Sequence, residues 1–231
     1  MIPLRDDVPT RTFPIVTVIL IAVNVAIYLY QLFLTEPAYS AMVYKWAYIP
    51  IEYTGGEQVV PGPAVPYGVT VITSMFLHGG FMHVAGNMLY LWIFGNNIED
   101  RLGRVKFIIF YVVSGLAAVA TYTIFDPHSQ VPLIGASGAI AGVMGAYMVL
   151  YPKARVQTLI FLGFFIQAVR IPAKILLVFW FVLQIISGLP SLMGPSQGGG
   201  VAWFAHVGGF VFGWLYFKLS KKRPAFNYWG A

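Results

Sequence analysis

Long apolar runs, repeated along one chain, decide most of what this sequence can become. The run "FPIVTVILIAVNVAIYLYQLFL" is the first, and stretches of about 18 or more such residues recur toward the C-terminus. Water cannot solvate so much hydrocarbon. Only 10% of the 231 residues are charged, where a soluble domain carries about a quarter. The sequence therefore reads as an all-α, polytopic membrane protein whose first partner is the lipid bilayer. Its formal charge of +6 is better explained by topology than by affinity for nucleic acid, and no nucleic-acid partner is expected. There is no cysteine, which removes disulfides, thiolate nucleophiles and Cys-based metal sites. The N-terminus, "MIPLRDDVPTRTFP", lacks a small-residue cleavage site, and the apolar run after it is too long for a signal peptide, so it reads as a retained anchor.

Six spans are placed at 14–34, 80–95, 105–125, 133–151, 171–189 and 201–219. The second is short and is expected to start earlier, within "YGVTVITSMFL". Between the fourth and fifth, "VQTLIFLGFFIQAV" lies between Arg155 and Arg170 and is too short to cross, so an interfacial or hairpin segment is expected there. Charge tests the count. Arg5 and Arg11 precede span one; Arg101, Arg104 and Lys106 follow span two. Lys153, Arg155, Arg170 and Lys174 follow span four, and Lys218, Lys221, Lys222 and Arg223 follow span six. Of the 14 basic residues, Lys45 alone falls on the other side, so both termini are expected in the cytoplasm. The whole chain, 1–231, is read as a single membrane domain with short tails at about 1–13 and 220–231. The segment 35–79 is long enough to carry structure of its own.

Spans two, four and six run in the same direction, and their N-terminal ends hold the unusual residues: His83 and Asn87, Ser137, and His206. At 1.5 Å per residue each lies roughly 5–10 Å inside its span. Taken singly, an intramembrane histidine reads as a helix–helix hydrogen bond, and a serine among Gly and Ala as a packing residue. Their common depth is what favours a site. His78, His83 and His206 could supply metal nitrogens, but His78 and His83 are five apart, and no acidic residue falls within a span to complete a ligand set. No metal or cofactor is expected. Nucleophilic chemistry fits better, because a serine needs a base within hydrogen-bond reach and donors for an oxyanion. A neutral His206 can accept the serine proton. Ser137 begins a helix, where unpaired N–H groups favour negative charge, and Asn87, one turn after His83, can donate. Asp126 is the last acidic residue of the chain, so a serine enzyme here would run on a dyad. Gly138 and Gly142, and Gly209 and Gly213, are each four apart, a spacing that lets helix backbones approach, and His206 shares a face with Gly209 and Gly213.

At these residues the chain resembles the rhomboid intramembrane serine proteases over nearly its whole length. The match rests on "HGGFMHVAGNMLYLWIFGNNIED", "GASG" and "AHVGGFVFG", in that order on spans two, four and six. The resemblance implies a six-helix bundle in which Ser137 is the nucleophile and His206 its base. His83, Asn87 and the Ser137 backbone N–H would stabilise the oxyanion. It also implies transmembrane protein substrates cut in or near their helices, water reaching the dyad from outside, and a bacterial inner-membrane setting. Two positions depart from the family pattern. Val69 and Thr70 stand where Trp-Arg is common, and Ala141 stands where some members stack a tyrosine under the histidine, so another residue must orient His206. The rival reading is a catalytically silent rhomboid-like protein that binds membrane helices; a transporter is disfavoured because the spans lack an acid.

Overall fold

The computed structural model describes residues 1–55, 58–59, 65–162, 165–192 and 202–220. The expected tail from 221 onward, with Lys221, Lys222 and Arg223, lies outside the described residues, as does Glu57. Along the chain run β1 (Ile2–Asp6), α1 (Ile15–Leu32), α2 (Glu36–Trp46), α3 (Pro50–Thr54), α4 (Tyr67–Thr73), α5 (Phe81–Tyr90), α6 (Asn96–Leu102), α7 (Arg104–Phe125), α8 (Ser137–Leu150), β2 (Arg155–Leu162), β3 (Phe165–Pro172), α9 (Ala173–Gly188) and α10 (Trp203–Leu219).

The burial pattern is that of a protein in lipid. On α1 the buried positions include Thr17, Asn24 and Gln31, seven residues apart on one inward stripe, while Ile19, Leu29 and Leu32 are exposed. Ile108, Ile109, Ile124, Val182 and Ile186 likewise face outward. Polar and small residues turn in because lipid gives large apolar side chains no reason to hide. The centre is α8, whose residues from Gly138 to Tyr147 are all buried; a helix apolar all round belongs in a core. It packs between α7 and α10.

Among the described residues, Ile15–Leu32 and Arg104–Phe125 are long and apolar enough to cross a bilayer by themselves, and Ser137–Leu150 and Ala173–Gly188 are shorter. Fewer helices reach full crossing length than the six runs suggest, for local reasons. Gly68–Phe76, within "YGVTVITSMFL", meets Phe81–Leu102 at 92°, so the second run is a broken span or a re-entrant loop. A π-type turn at Leu91–Gly95 carries α5 on into α6. In the fourth run, the Gly135 N–H donates to the Ser74 carbonyl (2.9 Å) and Leu133 N–H to the Tyr48 carbonyl (2.7 Å). These bonds hold the chain extended, so α8 starts only at Ser137. At fourteen residues it is about 21 Å long, less than a hydrocarbon core of about 30 Å. The 35–79 segment contributes α2, α3 and α4, with Tyr48 between α2 and α3 and Ser74 directly after α4.

The all-α expectation needs correction. β1, β2 and β3 form a three-stranded antiparallel sheet in that order. The 156–169 segment is a hairpin, and the supposed N-terminal tail is its third strand, with Arg5 opposite Gln157 and Asp6 opposite Val156. Val156 and Thr158 alternate with Arg155 and Gln157, and the first pair is fully buried. The sheet is anchored by Asp6, which accepts hydrogen bonds from Tyr147 Oη (2.5 Å) and Asn97 Nδ2 (2.7 Å). Nearby, the buried Glu99 carboxylate caps α1, accepting from Val16 N (2.9 Å), Thr17 N (2.8 Å) and Thr17 Oγ1 (2.8 Å). A carboxylate suits the positive end of a helix.

Candidate active site

Three helices set the geometry, and glycines set their separation. A Cβ at Gly209 would overlap the Gly138 carbonyl oxygen, and one at Gly213 would overlap that of Gly142. On the other side, a Cβ at Gly142 would overlap Ser114 of α7. The backbones of α8 and α10 therefore touch, and Ser137 and His206, each at the start of that contact, meet. His206 Nε2 lies 2.7 Å from Ser137 Oγ, and its Nδ1 lies 2.8 Å from Oε1 of Gln184 on α9. Gln184 Nε2 donates to the Trp180 carbonyl at 3.1 Å. Trp180 and Trp203 flank the imidazole, with centroids 5.8 and 6.3 Å away.

A second cluster faces the serine. Gly135, two residues before it, has φ +118°, a conformation L side chains rarely adopt. A Cβ there would stand 2.6 Å from His83 Nε2 and 3.6 Å from Asn87 Nδ2. His83 Nδ1 accepts the Gly79 N–H (3.4 Å), which leaves Nε2 as the protonated nitrogen of a neutral ring. Asn87 Nδ2 lies 2.9 Å from His78 Nε2. His78 is itself held by Gln31, whose amide donates to its carbonyl and accepts from its N–H, each at 3.1 Å. Ser137 is the first residue of α8, so its N–H has no intrahelical partner. Donors from His83, Asn87 and Ser137 thus border one small space, while the Ser–His pair borders it from the other side. Both clusters line a cavity of about 890 Å³, whose lining also includes Phe81, Met82 and Trp203.

Gln184 and the Gln31–His78 pair are absent from the sequence reading, where His78 enters as the first residue of the span-two motif and as a metal nitrogen that is weighed and set aside. Gln184 and Ser187 are the two polar residues of "ILLVFWFVLQIISG", a signal available in the sequence but without an assignable partner. Of the departures, Ala141 is fully buried, and Thr70 pairs its hydroxyl with Tyr53 Oη (2.6 Å).

The fold and this site define a class, helical integral membrane proteins with polar groups gathered around a half-buried serine. A rhomboid-domain model matches residues 67–223, and the chain belongs to the rhomboid family. It is similar to RHOMBOID-like protein 5 of Arabidopsis thaliana (27% identical; 68% of this chain, 46% of that protein) and to mitochondrial Rhomboid protein 1 of Saccharomyces cerevisiae (28%; 67% and 44%). It also resembles rhomboid protease GluP of Bacillus subtilis, 36% identical over 34% of this chain and 15% of that protein. The chain spans less than half the length of each of these relatives.

Proposed function

We propose that the protein is an intramembrane serine endopeptidase that cuts peptide bonds in or near the transmembrane helices of membrane-protein substrates. The observation that carries this reading is the 2.7 Å approach of Ser137 Oγ to His206 Nε2 beside a donor-lined cavity. His206 takes the hydroxyl proton as Ser137 Oγ attacks the scissile carbonyl carbon. The oxyanion is met by the Ser137 N–H, His83 Nε2–H and the second amide hydrogen of Asn87, the first being directed at His78. His206 returns the proton to the leaving amine, an acyl-enzyme forms on Ser137, and water, deprotonated by His206, releases it.

The same reading takes 1–231 as one rhomboid-like domain with six crossings, the short α8, α9 and α10 included, since non-helical backbone at membrane depth is tolerated where protein covers it. Both termini lie on the cytoplasmic side of a bacterial cell membrane, supported by the distribution of Lys and Arg. Substrate helices that unwind easily suit the site, because an intact helix hides its carbonyls. The silent helix-binding alternative is disfavoured by the presence and mutual bonding of both Ser137 and His206. Fluorophosphonate labelling of the detergent-solubilised protein tests the choice. Labelling is expected in the wild type and absent in Ser137→Ala and His206→Ala. A folded wild type that does not label refutes the protease reading.

A further inference from the structure

The dyad has no carboxylate, yet His206 is not free to choose its tautomer. The chain of hydrogen bonds behind it has one possible direction. A peptide carbonyl only accepts, so the nitrogen of the Gln184 amide must face the Trp180 carbonyl, as it does at 3.1 Å. The amide cannot be flipped without setting two acceptors against each other. Its oxygen is therefore the atom turned to His206, 2.8 Å from Nδ1. An amide oxygen also only accepts, so the neutral ring must carry its hydrogen on Nδ1. Nε2 is then left with a lone pair, 2.7 Å from Ser137 Oγ. Gln184 and His206 are both buried, and so is the bond between them.

We propose that Gln184 is the positioning residue of His206, fixing the Nδ1–H tautomer and the ring's angle so that Nε2 accepts the Ser137 proton. The inference rests on the protease reading for its consequence, but the bond itself is a property of the resting protein. Gln184 touches no reacting atom and acts only through the imidazole. It takes the place that a carboxylate holds in a three-residue triad, and as a neutral acceptor it brings no charge into the apolar site. It also fills the role left open by Ala141, which has no ring to lie under the histidine.

Two readouts on the full-length protein test this. The first is the concentration dependence of fluorophosphonate labelling in the wild type, Gln184→Met and Gln184→Glu. Methionine keeps the length and removes the acceptor. A glutamic acid restores both bonds when protonated and keeps an acceptor when ionised. The maximal labelling rate is expected to fall about 10- to 100-fold in Gln184→Met, at unchanged half-saturating probe concentration. Gln184→Glu should recover to within a few-fold of the wild type. A tie that merely joined α9 to α10 would not select glutamate over methionine in this way. The second readout is the nitrogen NMR spectrum of imidazole-labelled protein, which reports the tautomer without any catalysis. The wild type should carry its His206 hydrogen on Nδ1, and Gln184→Met should lose that preference.

Wild-type labelling rates in Gln184→Met overturn the proposal, and so does an Nε2–H tautomer in the wild type, whether or not the variant folds. A wild type that fails to label but shows Nδ1–H overturns the protease reading, while the bond to Gln184 stands.

Discussion

Gly209→Ala puts the close contact of α8 and α10 to the test. The added methyl would land on the Gly138 carbonyl oxygen, with backbone on both sides of the collision. No side chain can swing away, so the helices must part. The methyl would stand far inside the 3.4 Å at which ordinary contact with that oxygen begins, so α10 must move from α8 by more than an ångström. Overpacking of this kind costs about 1–3 kcal/mol of stability. The site should feel the shift as well as the fold. Gly209 lies one turn after His206, and Gly138 follows Ser137 directly, so the same displacement lengthens the 2.7 Å Ser137–His206 bond beyond useful proton transfer. A misplacement of about 1 Å typically costs about 100-fold in rate. Fluorophosphonate labelling should therefore slow by about that factor, with a modest fall in the thermal midpoint. Gly68→Ala on α4, where nothing lies within 4 Å of the new methyl, is the control and should label at the wild-type rate. A Gly209→Ala protein with wild-type labelling and melting would show that the backbone contact does not set the dyad distance.

Two further expectations concern the oxyanion donors and the sheet. Asn87→Ala should reduce turnover by about 10²- to 10³-fold, the usual value of one oxyanion donor, without abolishing labelling; an unchanged rate removes Asn87 from that role. Burial raises the Asp6 carboxyl from 3.8 to about 6, against the opposing hydrogen bond from Tyr147. Its folded form thus binds the proton more tightly than its unfolded form, and the resulting stability is fully present below pH 3.8 and lost as pH rises through about 6. Melting temperatures should fall across that window in the wild type and stay flat in Asp6→Asn, whose amide oxygen still accepts from Tyr147 and Asn97; equal slopes would refute the assignment.

What the sequence made legible follows the range of each interaction. Apolar runs and the four-residue glycine spacing are local patterns, and a helix displays them directly. The β2–β3 hairpin could be suspected because its strands are neighbours flanked by Arg155 and Arg170. β1 could not: it is five residues long, contains Pro3, and finds its partner far along the chain, Gln157 lying 152 residues after Arg5. The 92° bend after Phe76 was equally hidden, since "YGVTVITSMFL" is apolar enough to continue a helix. Gln184 stood out by composition, but nothing in one sequence says which of the buried polar groups it will meet. His78 could be weighed as a metal nitrogen and set aside from spacing alone, but its backbone partners on Gln31 belong to a different span.

The polar side chains around the cavity share one property that the membrane setting explains. Gln31, His78, Asn87, Ser137, Gln184 and His206 are all neutral donors and acceptors, and each has a partner: Gln31 with the His78 backbone, His78 with Asn87, Ser137 with His206, His206 with Gln184, Gln184 with the Trp180 carbonyl. His78 Nδ1 is buried without a hydrogen-bond partner, but the other bonds matter, because an unpartnered polar group in hydrocarbon costs several kcal/mol and a buried charge costs more. Amides and imidazoles supply direction without charge, so the site can be buried and still carry a proton along a defined path. The carboxylates are kept elsewhere, with Asp6 at the opposite end of α8 from Ser137, against Tyr147, and Glu99 at the start of α1. Charge anchors the ends of the helices, while neutral hydrogen bonds arrange the chemistry between them. On this logic the acid missing from the dyad is a consequence of where the serine sits, and a neutral glutamine is the kind of residue that can stand in for it.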